Sequence, residues 1–532
     1  MRAVATVLLL VVLATAVATF ARSRRIPAPS LLVLAGLGVA LVPGTPELHI
    51  PPQAIALIVL PPLLYASAEE LSLRDLRTVW RPVTVLAFGL VLCSAAAVAW
   101  VASALTGLPP ATAFVLGAVL SSTDPVAVTA LGRRLALPGR VQVLVQAESL
   151  FNDATSLVLF KVAIGIAVAA GPVGGAAAAG QFALLAGGGS LVGAGVAGVV
   201  ALIRRRTVDP VLETVIALVT PYSAYVLAES AHTSGVTAVV VAGVLLGRSG
   251  HRLSDARIRL QLHAVYAVVV FLLESVVFSV VGLTLPELVR VLPDGTGGWP
   301  EQALALAVVV IGVRLVWMLA LSTATHTGTS TAAGVGAAGG GGTGGARGRP
   351  SWRVAAVVSW AGTRGVMPLA AALSIPLATE SGAPLPGRAL VLVLTTAVVV
   401  LTLVVQGLTL APVVNRSGLA LEPEHTAREE ADARDALNRA ALAHIDELAL
   451  LDAQPRHAVD RVRRGLAARL DHDADDSGSA SADTAYRELR QGVIAVQNAE
   501  LRRLYDAHLI SAATLRGLRH DLDREEAALG GR

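Results

Sequence analysis

Two carboxylates, Glu148 and Asp153, stand close together in ESLFNDATSLVLF (148–160), a stretch that is apolar for a long way downstream. On a helix, Ser149 and Asp153 share one face, and Glu148 and Asn152 share another about 100° away. One carboxylate per face predicts two jobs. The other charges left in apolar surroundings are Asp124, Lys161, Glu213, Glu274, Arg314 and Arg364. A guanidinium in such surroundings demands a carboxylate or free helix-end carbonyls. Glu148 is best placed to neutralise Arg364 as a fixed pair that holds helices together. Asp153 then remains to bind either a proton or a small cation. A carboxylate of that kind, beside hydroxyl and carbonyl oxygens, is an exchange site.

Two segments are built to supply those oxygens. In VLSSTDPVAVTAL (119–131), Pro125 donates no backbone hydrogen bond and pushes Asp124 out of helical geometry. The hydroxyls of Ser121, Ser122 and Thr123 stand beside it. In VSWAGTRGVMPLAAALSIP (358–376), Gly362 and Gly365 flank Arg364, and Pro368 follows. Each pattern predicts a helix interrupted in its middle. Two such breaks, one in each half of the chain, fit an inverted repeat whose broken helices cross at the bilayer midplane, where transporters hold ions. Lys161, near the end of its helix, is expected to snorkel to the interface. Glu213 and Glu229 are expected near the two ends of their span, solvated or lining a funnel. Glu274 and Arg314 are too deep to dismiss, and pairing with each other across helices is one reading.

The elements that position these groups need a membrane. Of the 532 residues, 54% are hydrophobic and 15% charged, against about 25% charged in a typical soluble domain. Thirteen apolar blocks fall near 4–20, 28–42, 53–68, 82–105, 111–131, 142–170, 180–203, 209–228, 234–247, 259–284, 301–322, 353–376 and 388–414. Their lengths suit helices crossing a hydrocarbon core of about 30 Å. Alternate loops test the count. ARSRR (21–25), EELSLRDLRTVWR (69–81), GRRLALPGR (132–140), RRR (204–206), RSGHRLSDARIR (248–259) and GGARGRPSWR (344–353) each carry at least three arginines. The intervening loops carry almost none. The positive-inside rule then places the N-terminus outside and the C-terminal tail in the cytoplasm. The first block reads as a retained helix rather than a cleaved signal peptide, because Arg22, Arg24 and Arg25 follow it and only Arg2 precedes it.

The expected fold is an all-α polytopic membrane protein of about 13 transmembrane helices with a helical cytoplasmic tail. Residues 1–418 form the membrane domain and 419–532 the tail, where charged and apolar residues alternate at helical spacing. Residues 323–351, rich in Gly, Ser and Thr, read as a flexible cytoplasmic linker. Cys93 is the one cysteine, so no internal disulfide forms. The net charge of +4 reflects arginines spread over loops and implies no nucleic-acid partner.

The chain resembles the cation:proton antiporter superfamily, specifically the NhaP/NHE-type sodium/proton exchangers. The matching stretches are LPPLLYASA (60–68), SSTDPVAV (121–128), ESLFNDAT (148–155), ETVIALVTPYSAYVLAESAHTSGVTAVVVAGVLLG (213–247) and GTRGVMPLAAALSIP (362–376), in the family's order. The resemblance implies thirteen helices, a homodimer in the plasma membrane, and a core domain that moves like an elevator against a dimerisation domain. It implies that Asp153 carries the proton or a Na⁺, with Ser149 and the Thr123 backbone as further metal ligands and Asp124 lining the site. Asn152, in place of an acid, matches the pattern associated with electroneutral exchange, and Glu148 paired with Arg364 is also the family's arrangement. One departure stands out: Ala66, after Tyr65, occupies a position where many relatives carry an acid.

The function expected is exchange of Na⁺ (Li⁺ and K⁺ being further candidates) for a proton, with no cofactor. A K⁺/H⁺ antiporter is the alternative on the same fold, followed by a pH-gated cation channel or sensor. A membrane enzyme is disfavoured, because no HExxH or GxSxG occurs and His232 and His263 lie at loop edges.

Overall fold

The computed structural model describes residues 2–24, 27–42, 52–124, 139–169, 174–207, 209–253, 256–293, 297–327, 351–417, 423–450, 456–471 and 480–530. Among them, helix accounts for nearly all regular structure, and the one β contact is an isolated bridge between Ala378 and Pro384. The order is α1 (Arg2–Arg24), α2 (Ala28–Ala40), α3 (Pro52–Glu69), α4 (Leu73–Thr84), a π-helical turn (Val85–Leu90), α5 (Val91–Thr106), α6 (Pro110–Leu120), α7 (Gly139–Val168) and α8 (Gly175–Arg204). Then come α9 (Pro210–Ser230), α10 (Gly235–Leu253), α11 (Ala256–Arg290), α12 (Trp299–Thr327), α13 (Ser351–Trp360), α14 (Val366–Leu373) and α15 (Arg388–Ser417). Four tail helices follow: α16 (Pro423–Leu450), α17 (Arg456–Asp471), α18 (Ala480–Asp506) and α19 (Ala512–Gly530).

Each of the thirteen apolar blocks holds helix. Among the described residues, seven helical spans are long and apolar enough to cross a membrane in one piece, including Gln142–Val168 and Arg388–Ser417. With apolar side chains on every face, such helices gain little from hiding one face from lipid, so association rests on close backbone approach. Small residues supply it. A Cβ on Gly117 would overlap the Ala95 carbonyl, one on Gly193 the Ala238 carbonyl, and one on Gly247 the Glu69 carbonyl. These three glycines seat α6 on α5, α8 on α10 and α10 on α3. The long α15 is the most buried span, and its hydroxyls turn inward: Thr396 and Thr402 donate to the carbonyls of Leu392 and Val398, at 2.8 and 2.9 Å. Helix α12 runs to Thr327, past the first residues of the expected linker; residues 328–350 lie outside the described residues, as do Pro125 and 126–138.

The chain divides into two compact units. One comprises Met1–Arg206, Val215–Leu253 and Tyr266–Ala420. The other comprises Leu421–Arg532 together with Thr207–Thr214 and Ser254–Val265. Inside the second unit the tail helices form a bundle. Leu437 on α16 packs with Ile494 and Leu501 on α18 and with Leu518 and Leu522 on α19. A neighbouring cluster joins Ala441 and Ile445 to Val459 and Val462 on α17 and Val493 on α18. Glu429 caps α19, accepting from the Ser511 N–H at 2.6 Å and the Thr514 hydroxyl at 3.0 Å. In the same unit Arg259 meets the Asp523 carboxylate at two points, Nε lying 3.0 Å from Oδ2.

Candidate functional site

Helix α6 stops at Leu120, and Ser122–Asp124 follow without helical hydrogen bonding. The hydroxyls of Ser121 and Ser156 both donate to the Ala118 carbonyl, each at 2.7 Å, which occupies an acceptor at the helix end. The second break lies between α13 and α14, where Ala361–Gly365 leave the helix. The two breaks bond directly to each other. The Asp124 N–H donates to the Thr363 carbonyl at 2.8 Å, and the Thr363 hydroxyl donates to the Asp124 carbonyl at 3.1 Å. Both glycines of the GTRG stretch make room for a charge. A Cβ on Gly365 would overlap the Asp124 carboxylate, and a Cβ on Gly362 would overlap the Arg314 guanidinium.

Helix α7 carries the other half of the cluster past this crossing. Asp153 lies near the middle of this 30-residue helix and is only 5% exposed. It accepts from the Ser122 hydroxyl at 2.5 Å. The Ser149 hydroxyl donates to the Thr123 carbonyl. The Asn152 amide nitrogen donates to the Thr123 hydroxyl at 3.0 Å and to Glu148 Oε1 at 3.3 Å. Its carbonyl oxygen is buried without a partner among the described residues. All the residues expected at the site, Asp153, Asp124, Thr123, Ser149 and Asn152, are buried in this one region.

The arginines are arranged differently from the expectation. Glu148 is held by Arg314, not by Arg364: Nη1 lies 2.7 Å from Oε1 and Nη2 lies 2.6 Å from Oε2. Arg314 therefore does not pair with Glu274 either. Its Nε and Nη2 also reach the Val358 carbonyl near the end of α13, at 3.3 and 3.2 Å. Arg364 instead donates from Nη1 to the carbonyls of Ser121 and Ser122, at the frayed end of α6. The physical reason is that a guanidinium is satisfied by either a carboxylate or the unsatisfied carbonyls of a helix C-terminus. The break in α6 exposes such carbonyls right beside Arg364, and Arg314 approaches Glu148 through the gap at Gly362.

Lys161 does not simply reach for the interface. It pairs with Glu229 at 2.5 Å and donates to the Thr233 carbonyl at 3.3 Å. The sequence reading does not single out Thr363, nor Arg314 as the Glu148 partner, and it names Ser122 only as one of a run of hydroxyls. Their signals were present but shared with neighbours: two hydroxyls adjoin Ser122, and Arg314 and Arg364 are both arginines deep in apolar spans.

Two interrupted helices that bond to each other across a cluster of buried carboxylates, within a bundle of membrane-length helices, define a secondary ion transporter. Comparison with known proteins gives the particular family. Residues 7–416 match the family described as sodium/hydrogen exchanger, transmembrane. An uncharacterized Na⁺/H⁺ exchanger of Mycobacterium tuberculosis is 35% identical over 95% of this chain and 92% of its own length. The Na⁺/H⁺ antiporter ApNhaP of Aphanothece halophytica is 30% identical over 80% of this chain and 76% of its own. In fold, the chain is similar to the sodium proton antiporter MjNhaP1 of Methanocaldococcus jannaschii, with a TM-score of 0.61 at 19% identity over 79% of this chain and 100% of that one. The chain belongs to the sodium/hydrogen exchanger family, and so is a multi-pass membrane transporter exchanging a cation for a proton rather than an enzyme.

Proposed function

We propose that this protein exchanges Na⁺, with Li⁺ as a further substrate, for a proton by elevator-type alternating access, and that the two compete for Asp153. The observation that carries this reading is the placement of Asp153: buried, held by the Ser122 hydroxyl, and close to the break whose Thr123 carbonyl meets the Ser149 hydroxyl. Small hard cations favour oxygen donors of this kind. Ser149, the Thr123 carbonyl and the buried Asn152 carbonyl oxygen would complete the shell, with Asp124 alongside. Mutual hydrogen bonding of the two breaks supports a site that travels as one body.

Electroneutral one-for-one exchange is the reading that the charges favour. Glu148 is committed to Arg314 and Asn152 is a neutral amide. Of the remaining carboxylates, Asp124 belongs to the crossing itself, and Asp153, on the helix that passes it, is the one whose proton we read as traded for a cation. The same reading places the protein in the plasma membrane as a homodimer, with the N-terminus outside and the tail in the cytoplasm.

The test is proton flux in proteoliposomes with an acid interior, adding Na⁺, Li⁺ and K⁺ in turn to the wild type and to Asp153→Asn. The expected result is collapse of the gradient by Na⁺ and Li⁺ in the wild type and none in the variant. Collapse by K⁺ alone would assign the cation otherwise. Full activity in Asp153→Asn would remove Asp153 from the mechanism.

A further inference from the structure

A cavity of about 320 Å³ lies between the α4–π segment, α7, α8 and α10. Its walls are mostly apolar, with Leu76, Trp80 and Phe88 on one side and Phe151, Val158 and Phe182 on the other. Four hydroxyls also border it, and every one is already engaged. Thr84, Thr155 and Ser190 donate to the carbonyls of Trp80, Phe151 and Ala186, and Thr237 donates to the Ser234 hydroxyl. Polar ligands would find no free donor among them. The mostly apolar walls favour an apolar occupant.

The shape is that of a slot along the helix axis. From Leu76 to Phe88 the lining runs twelve residue steps, about 18 Å at 1.5 Å per step. That is close to the ~15 Å depth of one leaflet, half of a ~30 Å core. Phe88 and Phe182 meet edge to face at 6.4 Å at the far end. At the near end, the α4 side chains Leu76, Trp80 and Val83 line the slot while Arg74, Arg77 and Arg81 fall within about 60° of one another on the adjoining face, at 100° per residue. Trp80 is 54% exposed, and the Arg81 guanidinium lies 5.5 Å from its ring centre.

We infer that this slot takes one acyl chain of an anionic phospholipid, whose phosphate is held by Arg77 and Arg81. An apolar trough one leaflet deep, with a cluster of cations at its mouth, is complementary to that molecule. The slot wall includes Phe151, Ala154 and Thr155, on the helix that carries Asp153. A bound chain would therefore fill the space between α7 and the α8–α10 pair.

Trp80 makes the site directly readable. The full chain is reconstituted in phosphatidylcholine liposomes containing a rising fraction of either phosphatidylglycerol or phosphatidylcholine with brominated acyl chains. Bromine quenches indole emission on contact, and the signal lost in Trp80→Phe isolates Trp80 from the other five tryptophans of the six. Quenching is expected at a several-fold lower fraction of brominated phosphatidylglycerol than of brominated phosphatidylcholine. The exposed pair Arg77→Gln and Arg81→Gln is expected to erase that preference, and Ala186→Phe, which fills the slot, to reduce quenching by both lipids. Equal quenching by the two headgroups in the wild type would mean ordinary annular lipid and would overturn the proposal. So would a preference that survives the double arginine change, or an absence of Trp80-dependent quenching.

Discussion

Arg314 and Glu148 form a two-point ion pair across 166 residues of sequence, with both members almost fully buried. Such a pair is costly to break because the surviving charge has no water to turn to. Arg314→Met is expected to destabilise the membrane unit by about 3–5 kcal/mol. Adding Glu148→Gln to it should recover most of the loss, since the stranded charge is then gone. Thermal unfolding in detergent of the two single variants and the double variant forms the cycle. Additive losses would show that the two groups do not depend on each other.

Gly365 and Gly198 offer a matched comparison. A methyl group at Gly365 would collide with the Asp124 carboxylate, whereas one at Gly198 meets nothing within 4 Å. Gly365→Ala is expected to abolish cation-driven proton flux. Gly198→Ala, in mid-helix, should leave flux intact and stabilise α8 by about 0.5–1 kcal/mol. Flux in proteoliposomes beside a thermal melt distinguishes them, and normal transport by Gly365→Ala would contradict the crossing described above.

Ser122 is the hydroxyl on Asp153. A hydrogen bond to a charged group contributes about 1.5–3 kcal/mol, so Ser122→Ala is expected to raise the half-saturating Na⁺ concentration by about tenfold or more while leaving the protein folded. Titrating Na⁺-driven proton release at fixed pH reads the effect. An unchanged half-saturation would place Ser122 outside the cation's surroundings.

The tail carries a titration with a definite sign. Burial pushes the Arg519 guanidinium down to about 10, and the neighbouring Arg259 and Arg502 add repulsion. For a base lowered in the folded state, the charged form opposes folding at every pH below about 10, and the penalty fades as pH rises from there towards the unfolded value. Arg519→Met is therefore expected to slow amide hydrogen exchange in α18 and α19 at pH 7, and the gain should shrink above pH 10. Faster exchange in the variant at pH 7 would mean that the attraction of Asp523 outweighs burial.

The pattern of apolar blocks made the helices legible, because a membrane span must be apolar for its whole length and each loop betrays itself by arginine. Both interruptions were legible as well: Gly362 and Gly365 around Arg364, and the hydroxyl run before Pro125, are hard to reconcile with unbroken helices. The ion pair was not. Glu148 had two buried arginines to choose from, and the choice depends on which guanidinium lies beside open carbonyls, a property of the crossing and not of either segment. The π turn at Val85–Leu90 left no sequence mark beyond Gly89, where a Cβ would meet the Trp317 ring at 2.7 Å. Nor did composition show that Thr207–Thr214 and Ser254–Val265 belong with the tail, since that depends on single contacts such as Arg259 with Asp523.

Lys161 is the one lysine in the whole sequence. Its bond to Glu229 ties the helix bearing Asp153 to α9. If the elevator motion proposed above carries α7 past α9, that tie must open in every cycle, and an amine free of its carboxylate is far more open to acylation. A single side-chain amine thus gives the chain a built-in stopwatch: the rate at which an amine-selective reagent modifies Lys161 would count openings without any engineered label.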